Sequence, residues 1–262
     1  MPRPANRYEV AKRSLAGWTQ GIAPDPATQP CKPAALGLAG MNTTLTKKCV
    51  AEFVGTFTLI FIGVGAIYNS PGLLGVALAH GLAIAVMVSA TGGISGGHLN
   101  PAVTFGVLVG GKIGLKDSLA YWVAQLAGGA AAGFLLLYLL GDNSQSAASI
   151  VAKGTPNLGE GVSWSKGIVI EAVLTFFLVF VVYGSAVDAR APKIGGLAIG
   201  LTVALDILFG GPLTGAAMNP ARTFGPALAS GQWANHTVYW IGPLLGGGAA
   251  GLIYGRFLSK QP

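Results

Sequence analysis

The chain has 262 residues, 52% of them hydrophobic and only 10% charged, with 41 glycines and a formal net charge of +7. So many apolar residues and glycines beside so few charges exclude a soluble enzyme and any large water-exposed domain. Cys31 and Cys49 lack the spacing of a disulfide framework, a redox motif or a zinc site, so neither a metal nor a cofactor is expected.

Residues 1–46 differ from the rest, carrying Pro2, Pro4, Pro24, Pro26, Pro30 and Pro33 without a sustained apolar run. They are expected to form a disordered tail, and they lack the apolar core of a signal peptide. Met41, just ahead of the first apolar stretch, offers an alternative start. From there residues 47–258 are expected to form one membrane domain. A bilayer-crossing helix needs ~20 apolar residues, and stretches of that order occur at 49–68, 72–91, 118–140, 167–187, 194–211 and 237–257. Two shorter apolar pieces, 101–109 and 220–229, each open on Asn-Pro. A capping asparagine followed by proline starts a helix, and pieces this short read as half-helices. The fold class is therefore an all-α membrane protein of six transmembrane helices and two half-helices.

The basic residues give the orientation. Of the 16 lysines and arginines, only Lys153 and Lys166 fall in loops opposite the termini, and Arg222 sits beside a half-helix. Both termini are thus expected in the cytoplasm. This layout accounts for the positive charge without nucleic acid.

Glu52 and Glu171, Gly81 and Gly200, and Asn100 and Asn219 are each 119 residues apart, and Tyr121-Trp122 and Tyr239-Trp240 agree to within one residue. The halves, about 47–140 and 166–258, are therefore repeats. Each holds three spans, an odd number, so the second enters the membrane from the opposite side. A site near the midplane of such an inverted repeat is expected. Glycine-rich backbone at that depth is tolerated where it is buried in protein or lines a wet cavity.

Two Asn-Pro-Ala motifs (Asn100-Pro101-Ala102 and Asn219-Pro220-Ala221) lie behind glycine-rich loops, with Arg222 after the second alone and a glutamate in the first span of each half. Here the sequence resembles the aquaporin or major intrinsic protein family over about residues 47–258. The resemblance implies a passive channel for water that excludes protons and ions. Asn100 and Asn219 would then offer side-chain N–H groups to the permeating water while their oxygens cap the half-helices. The family's narrowest point maps onto His80, Ile207, Ala216 and Arg222, a set resembling the tonoplast-intrinsic and related channels. It implies passage of small neutral solutes too: ammonia, urea or hydrogen peroxide. Loop 141–166 has no histidine of the kind that ammonia-favouring members often carry.

Thr223, Ala227, Tyr239 and Trp240 resemble water-type members rather than glycerol facilitators. Glu52 and Glu171 would support the half-helix loops as buried hydrogen-bond acceptors. His98 could face the pore or pack within its loop. Asp206 departs from the family's usual amide, which leaves it paired, neutral or water-exposed. The family also implies a homotetramer, in a cell membrane or a vacuole-type membrane. The rivals are a glycerol facilitator and a proton-coupled secondary transporter, whose relay would need Asp206 and His80. No paired carboxylates, nucleophile with a base, or metal spacing suggests an enzyme.

Overall fold

The computed structural model describes residues 44–140, 147–192 and 194–259. The expected tail falls outside the described residues up to residue 43, as do Lys193 and Lys260 of the charge argument. Among the described residues the secondary structure is entirely helical. Helices α1 (Leu45–Asn69), α2 (Gly72–Ser95), half-helix α3 (Pro101–Val109) and α4 (Leu115–Leu139) form the first repeat. A short α5 (Ala147–Lys153) links it to α6 (Trp164–Val182), α7 (Gly195–Thr214), half-helix α8 (Pro220–Ser230) and α9 (Val238–Ala250). The last turns of the α6 and α9 rods are π-helical, Tyr183–Val187 and Gly251–Leu258.

Among the described residues, five helices are long and apolar enough to cross a membrane. The sixth expected span is helical from Val238 onward, but it is divided between α9 and its π-helical continuation. Helix α5 is not foreshadowed by the apolar pattern. It is only seven residues long, held down by its buried Ile150 and Val151.

Lipid tails are as apolar as leucine, so helices in a bilayer associate through close packing. Small residues accordingly mark the contacts. α2 crosses α7 where Gly81 meets Gly200: a Cβ on Gly81 would stand 2.6 Å from the Gly200 carbonyl oxygen. Each half-helix then docks on a span of the opposite repeat, α3 on α9 and α8 on α4. A Cβ on Gly247 would stand 2.6 Å from the Ala102 carbonyl oxygen, and one on Gly129 2.8 Å from that of Ala221. The two repeats therefore interlock, and the half-helix N-termini meet between them.

Candidate functional site

The asparagines start the half-helices as expected. Asn100 Oδ1 accepts from the Ala102 N–H at 2.8 Å, Asn219 Oδ1 accepts from that of Ala221 at 3.0 Å, and Pro101 and Pro220 occupy the first helical positions. The amide nitrogens also bond across the junction. Asn100 Nδ2 donates to the Met218 carbonyl at 2.8 Å, and Asn219 Nδ2 donates to the Leu99 carbonyl at 3.0 Å. One hydrogen of each amide thus ties the two repeats together, and one remains. Leu99 and Met218 both sit in the left-handed region, with φ of 53° and 51°, so this crossed exchange follows the repeat.

Irregular buried backbone needs acceptors, and the two glutamates supply them. Glu52 Oε1 accepts from Ser95 Oγ at 2.6 Å and the His98 N–H at 2.9 Å, while Oε2 accepts from the Leu99 N–H. Glu171 repeats this with Thr214 Oγ1 at 2.7 Å, the Ala217 N–H at 3.0 Å and the Met218 N–H at 2.7 Å. Tyr121 and Tyr239 donate to the carbonyls of Ser95 and Thr214 at 2.7 and 2.8 Å. Gln125 has no counterpart: its amide joins Glu52 to Thr104 in the first half alone.

Three cavities lie in succession through this junction, each sharing lining residues with the next. A vestibule of about 670 Å³ opens among Lys48, Lys112 and Asp117 and narrows at Val88, His98 and Val182. A second, of about 340 Å³, opens beside Lys153 and narrows at His80, Ile207 and Arg222. Between them lies a stretch lined by those same narrowing residues together with Asn100, Asn219, Ala216 and an apolar wall including Ile84, Val103 and Leu178. It leaves about 30 Å³ for water, room for a few molecules in a row at ~10–15 Å³ each.

At one end of that stretch the side chains interlock. His80 Nδ1 lies 2.9 Å from the Val76 carbonyl, which can only accept, so Nδ1 carries the proton and the Nε2 lone pair faces Arg222 Nη2 at 3.3 Å. Arg222 Nη1 donates to the Gly154 carbonyl at 2.9 Å, and Nε has no partner. Ile207 lines the same end, and Ala216, with φ of 44°, lines the narrow stretch. His80, Ile207, Ala216 and Arg222 thus all line the narrow stretch.

His98 does both things that the sequence left open. It borders the lumen, and its Nδ1 lies 3.0 Å from Thr104 Oγ1 while its ring meets Tyr121 edge-on. Thr223, Ala227, Tyr239 and Trp240 lie off the passage. Thr223 and Ala227 are buried on α8, and Trp240 Nε1 donates to His236 Nε2 at 3.1 Å. Asp206 is only 5% exposed, its Oδ2 has no hydrogen-bond partner, and it makes no ion pair among the described residues. Gly154, Val76 and Gln125 were not anticipated. The first two act through backbone carbonyls, which every residue has, and Gln125 lies outside the repeated motifs.

An inverted repeat of spanning helices, with two half-helices abutting end to end on a narrow water-wide passage, defines a membrane channel. The major intrinsic protein family model matches residues 41–254. Aquaporin TIP2-1 of Arabidopsis thaliana is 46% identical over 221 residues, covering 79% of this chain and 85% of that protein. Aquaporin TIP4-1 of the same plant is 47% identical over 229 residues, 82% of this chain and 88% of the relative. Among solved structures, the aquaglyceroporin from Plasmodium falciparum superposes with a TM-score of 0.72 at 25% identity, over 82% of this chain and 97% of its own. The chain belongs to the major intrinsic protein, or aquaporin, family.

Proposed function

We propose that the chain is a passive, non-enzymatic channel for water, and that small neutral solutes such as ammonia, urea or hydrogen peroxide also pass. The observation that carries this reading is the narrow stretch, with about 30 Å³ for water and Asn100 and Asn219 in its lining, that shares its end residues with a vestibule on either side. Most of that wall is apolar, so a permeating water keeps its bonds to its neighbours in the file. At the centre it accepts the remaining amide hydrogen of each asparagine. Both of its own hydrogens then point outward along the file, which breaks a proton relay. The positive ends of both half-helices also face this point, which disfavours cations there.

The selectivity filter in this reading is His80, Ile207, Ala216 and Arg222, with Pro101, Ala102, Pro220 and Ala221 building the two half-helix starts. Glu52 and Glu171 hold the loops. Thr223, Ala227, Tyr239 and Trp240 act from behind the wall. The vestibule bearing Lys48 and Lys112 faces the cytoplasm, where both termini lie, by the excess of positive charge on that side. The subunits assemble as homotetramers with one pore each, in a cell membrane or a vacuole-type membrane.

Stopped-flow light scattering on proteoliposomes tests the reading, with water, urea, ammonia and glycerol run in parallel. Osmotic permeability is expected to exceed that of empty liposomes several-fold. Flux should be linear in the gradient and indifferent to pH gradients, and glycerol the weakest solute. Folded, reconstituted protein that left permeability at the empty-liposome value would overturn it. Saturable flux driven by a proton gradient would instead favour a coupled transporter.

Ile207 gives a sharper test of the filter. It puts an apolar surface at the constriction, and a histidine there adds a longer side chain whose ring can hydrogen-bond. In Ile207→His, urea and ammonia permeabilities should fall more than that of water, because single-file water can bond to the new group. Equal losses, or none, would remove position 207 from the filter.

A further inference from the structure

His80 borders both the narrow stretch and the vestibule above it, yet it is only 2% exposed. The ring is withdrawn into the wall, and the space it occupies is left by a missing side chain on α1. The tip of the imidazole points at Gly63: a Cβ built there would collide with Nε2 and stand 2.7 Å from both Cδ2 and Cε1. The next residue, Val64, backs the other side of the corner. It fills the space beside Gly154, where a Cβ would stand 2.5 Å from Val64 Cγ1. Consecutive residues of α1 therefore back both partners of the Arg222 guanidinium, the His80 ring and the Gly154 carbonyl.

We infer that Gly63 is a specificity-determining position that sets the aperture of the filter by letting His80 retract into α1, an inference that rests on the channel reading above. Gly63 does not touch the permeating solute; it is a positioning residue acting through the imidazole. With any side chain at 63 the ring has α1 behind it and the lumen in front. The clash falls on the tip of a rotatable side chain rather than on backbone, so the ring yields into the passage. Nδ1 stays tethered to Val76 or loses that bond, and the corner between His80 and Arg222 narrows in either case. Water, the smallest permeant, loses least; urea, broad and planar, loses most.

The test is a double-mutant cycle in proteoliposomes, read as the ratio of urea to water permeability. Gly63→Ala should lower that ratio by about threefold or more, by steric exclusion at the narrowest point. In the His80→Ala background the added methyl has no ring to displace, so Gly63→Ala should leave the ratio where His80→Ala alone puts it. An equal drop in both backgrounds, or no drop with His80 present, overturns the inference. If Gly63→Ala alone fails to assemble, Gly63→Ala/His80→Ala should still assemble, because the clash is gone; failure of both overturns it too. The wild-type arm separates this inference from the reading beneath it. Wild-type liposomes no more permeable than empty ones sink the channel, whereas a conducting wild type with an unmoved ratio sinks only the role of Gly63.

Discussion

Replacing Arg222 with valine is expected to let cations leak through a channel that still conducts water. The guanidinium is almost wholly buried beside the constriction, held by Gly154 and His80. A monovalent cation passing ~4 Å from it meets about 4 kcal/mol of repulsion at an effective dielectric of ~20, roughly a thousandfold in occupancy. The half-helix ends remain in the variant and keep some of the barrier, so a rise in ion or proton conductance of about tenfold or more is expected. Water permeability should stay within about twofold, since valine is smaller and the asparagines are untouched. Conductance measured on planar bilayers beside osmotic permeability, at matched protein density, decides the matter. An unchanged leak would place the charge barrier elsewhere.

The second large effect concerns stability. Glu52 accepts four hydrogen bonds, from Ser95, His98, Leu99 and Gln125. Glu52→Leu strands the two backbone N–H groups in an interior with no other acceptor. At ~1–3 kcal/mol for each orphaned group, the loss is about 2–6 kcal/mol against a usual net stability of ~5–15 kcal/mol. Little monodisperse protein is expected in detergent, and what survives should melt well below the wild type. Glu52→Gln, which keeps one acceptor oxygen, should fall between the two. Glu171→Leu should behave like Glu52→Leu because its three bonds repeat those of Glu52. A Glu52→Leu protein with wild-type melting would mean that the loop amides find other partners.

What the sequence could reveal follows from which interactions need particular side chains. The half-helices were readable because Asn100 and Asn219 must cap and Pro101 and Pro220 must follow. The glutamates were legible as an equivalent pair through the repeat, while their role as acceptors came from resemblance. The grouping of His80, Ile207, Ala216 and Arg222 came from resemblance, since nothing in their spacing alone brings four separate segments together. Gly154 was invisible, because it acts through a carbonyl and sits beyond α5, a helix too short to announce itself. The role of Gly63 was hidden for a different reason. A glycine among 41 carries no mark of what its missing side chain makes room for, and only the position of the His80 ring reveals it.

The crossed docking of the half-helices also constrains how the chain is made. When synthesis has passed α4, half-helix α3 is complete, but the α9 glycines that receive it have yet to be translated. A truncated first half therefore holds a helix too short to span the bilayer with nothing to close against. The reciprocal contact of α8 with α4 forms only when the second half arrives, so both half-helices lock together late, each completing the other's seat. Residues on these two seams, Gly129 and Gly247 among them, consequently govern how much channel a cell accumulates as well as how it conducts, and bulky substitutions there should show first as lost yield.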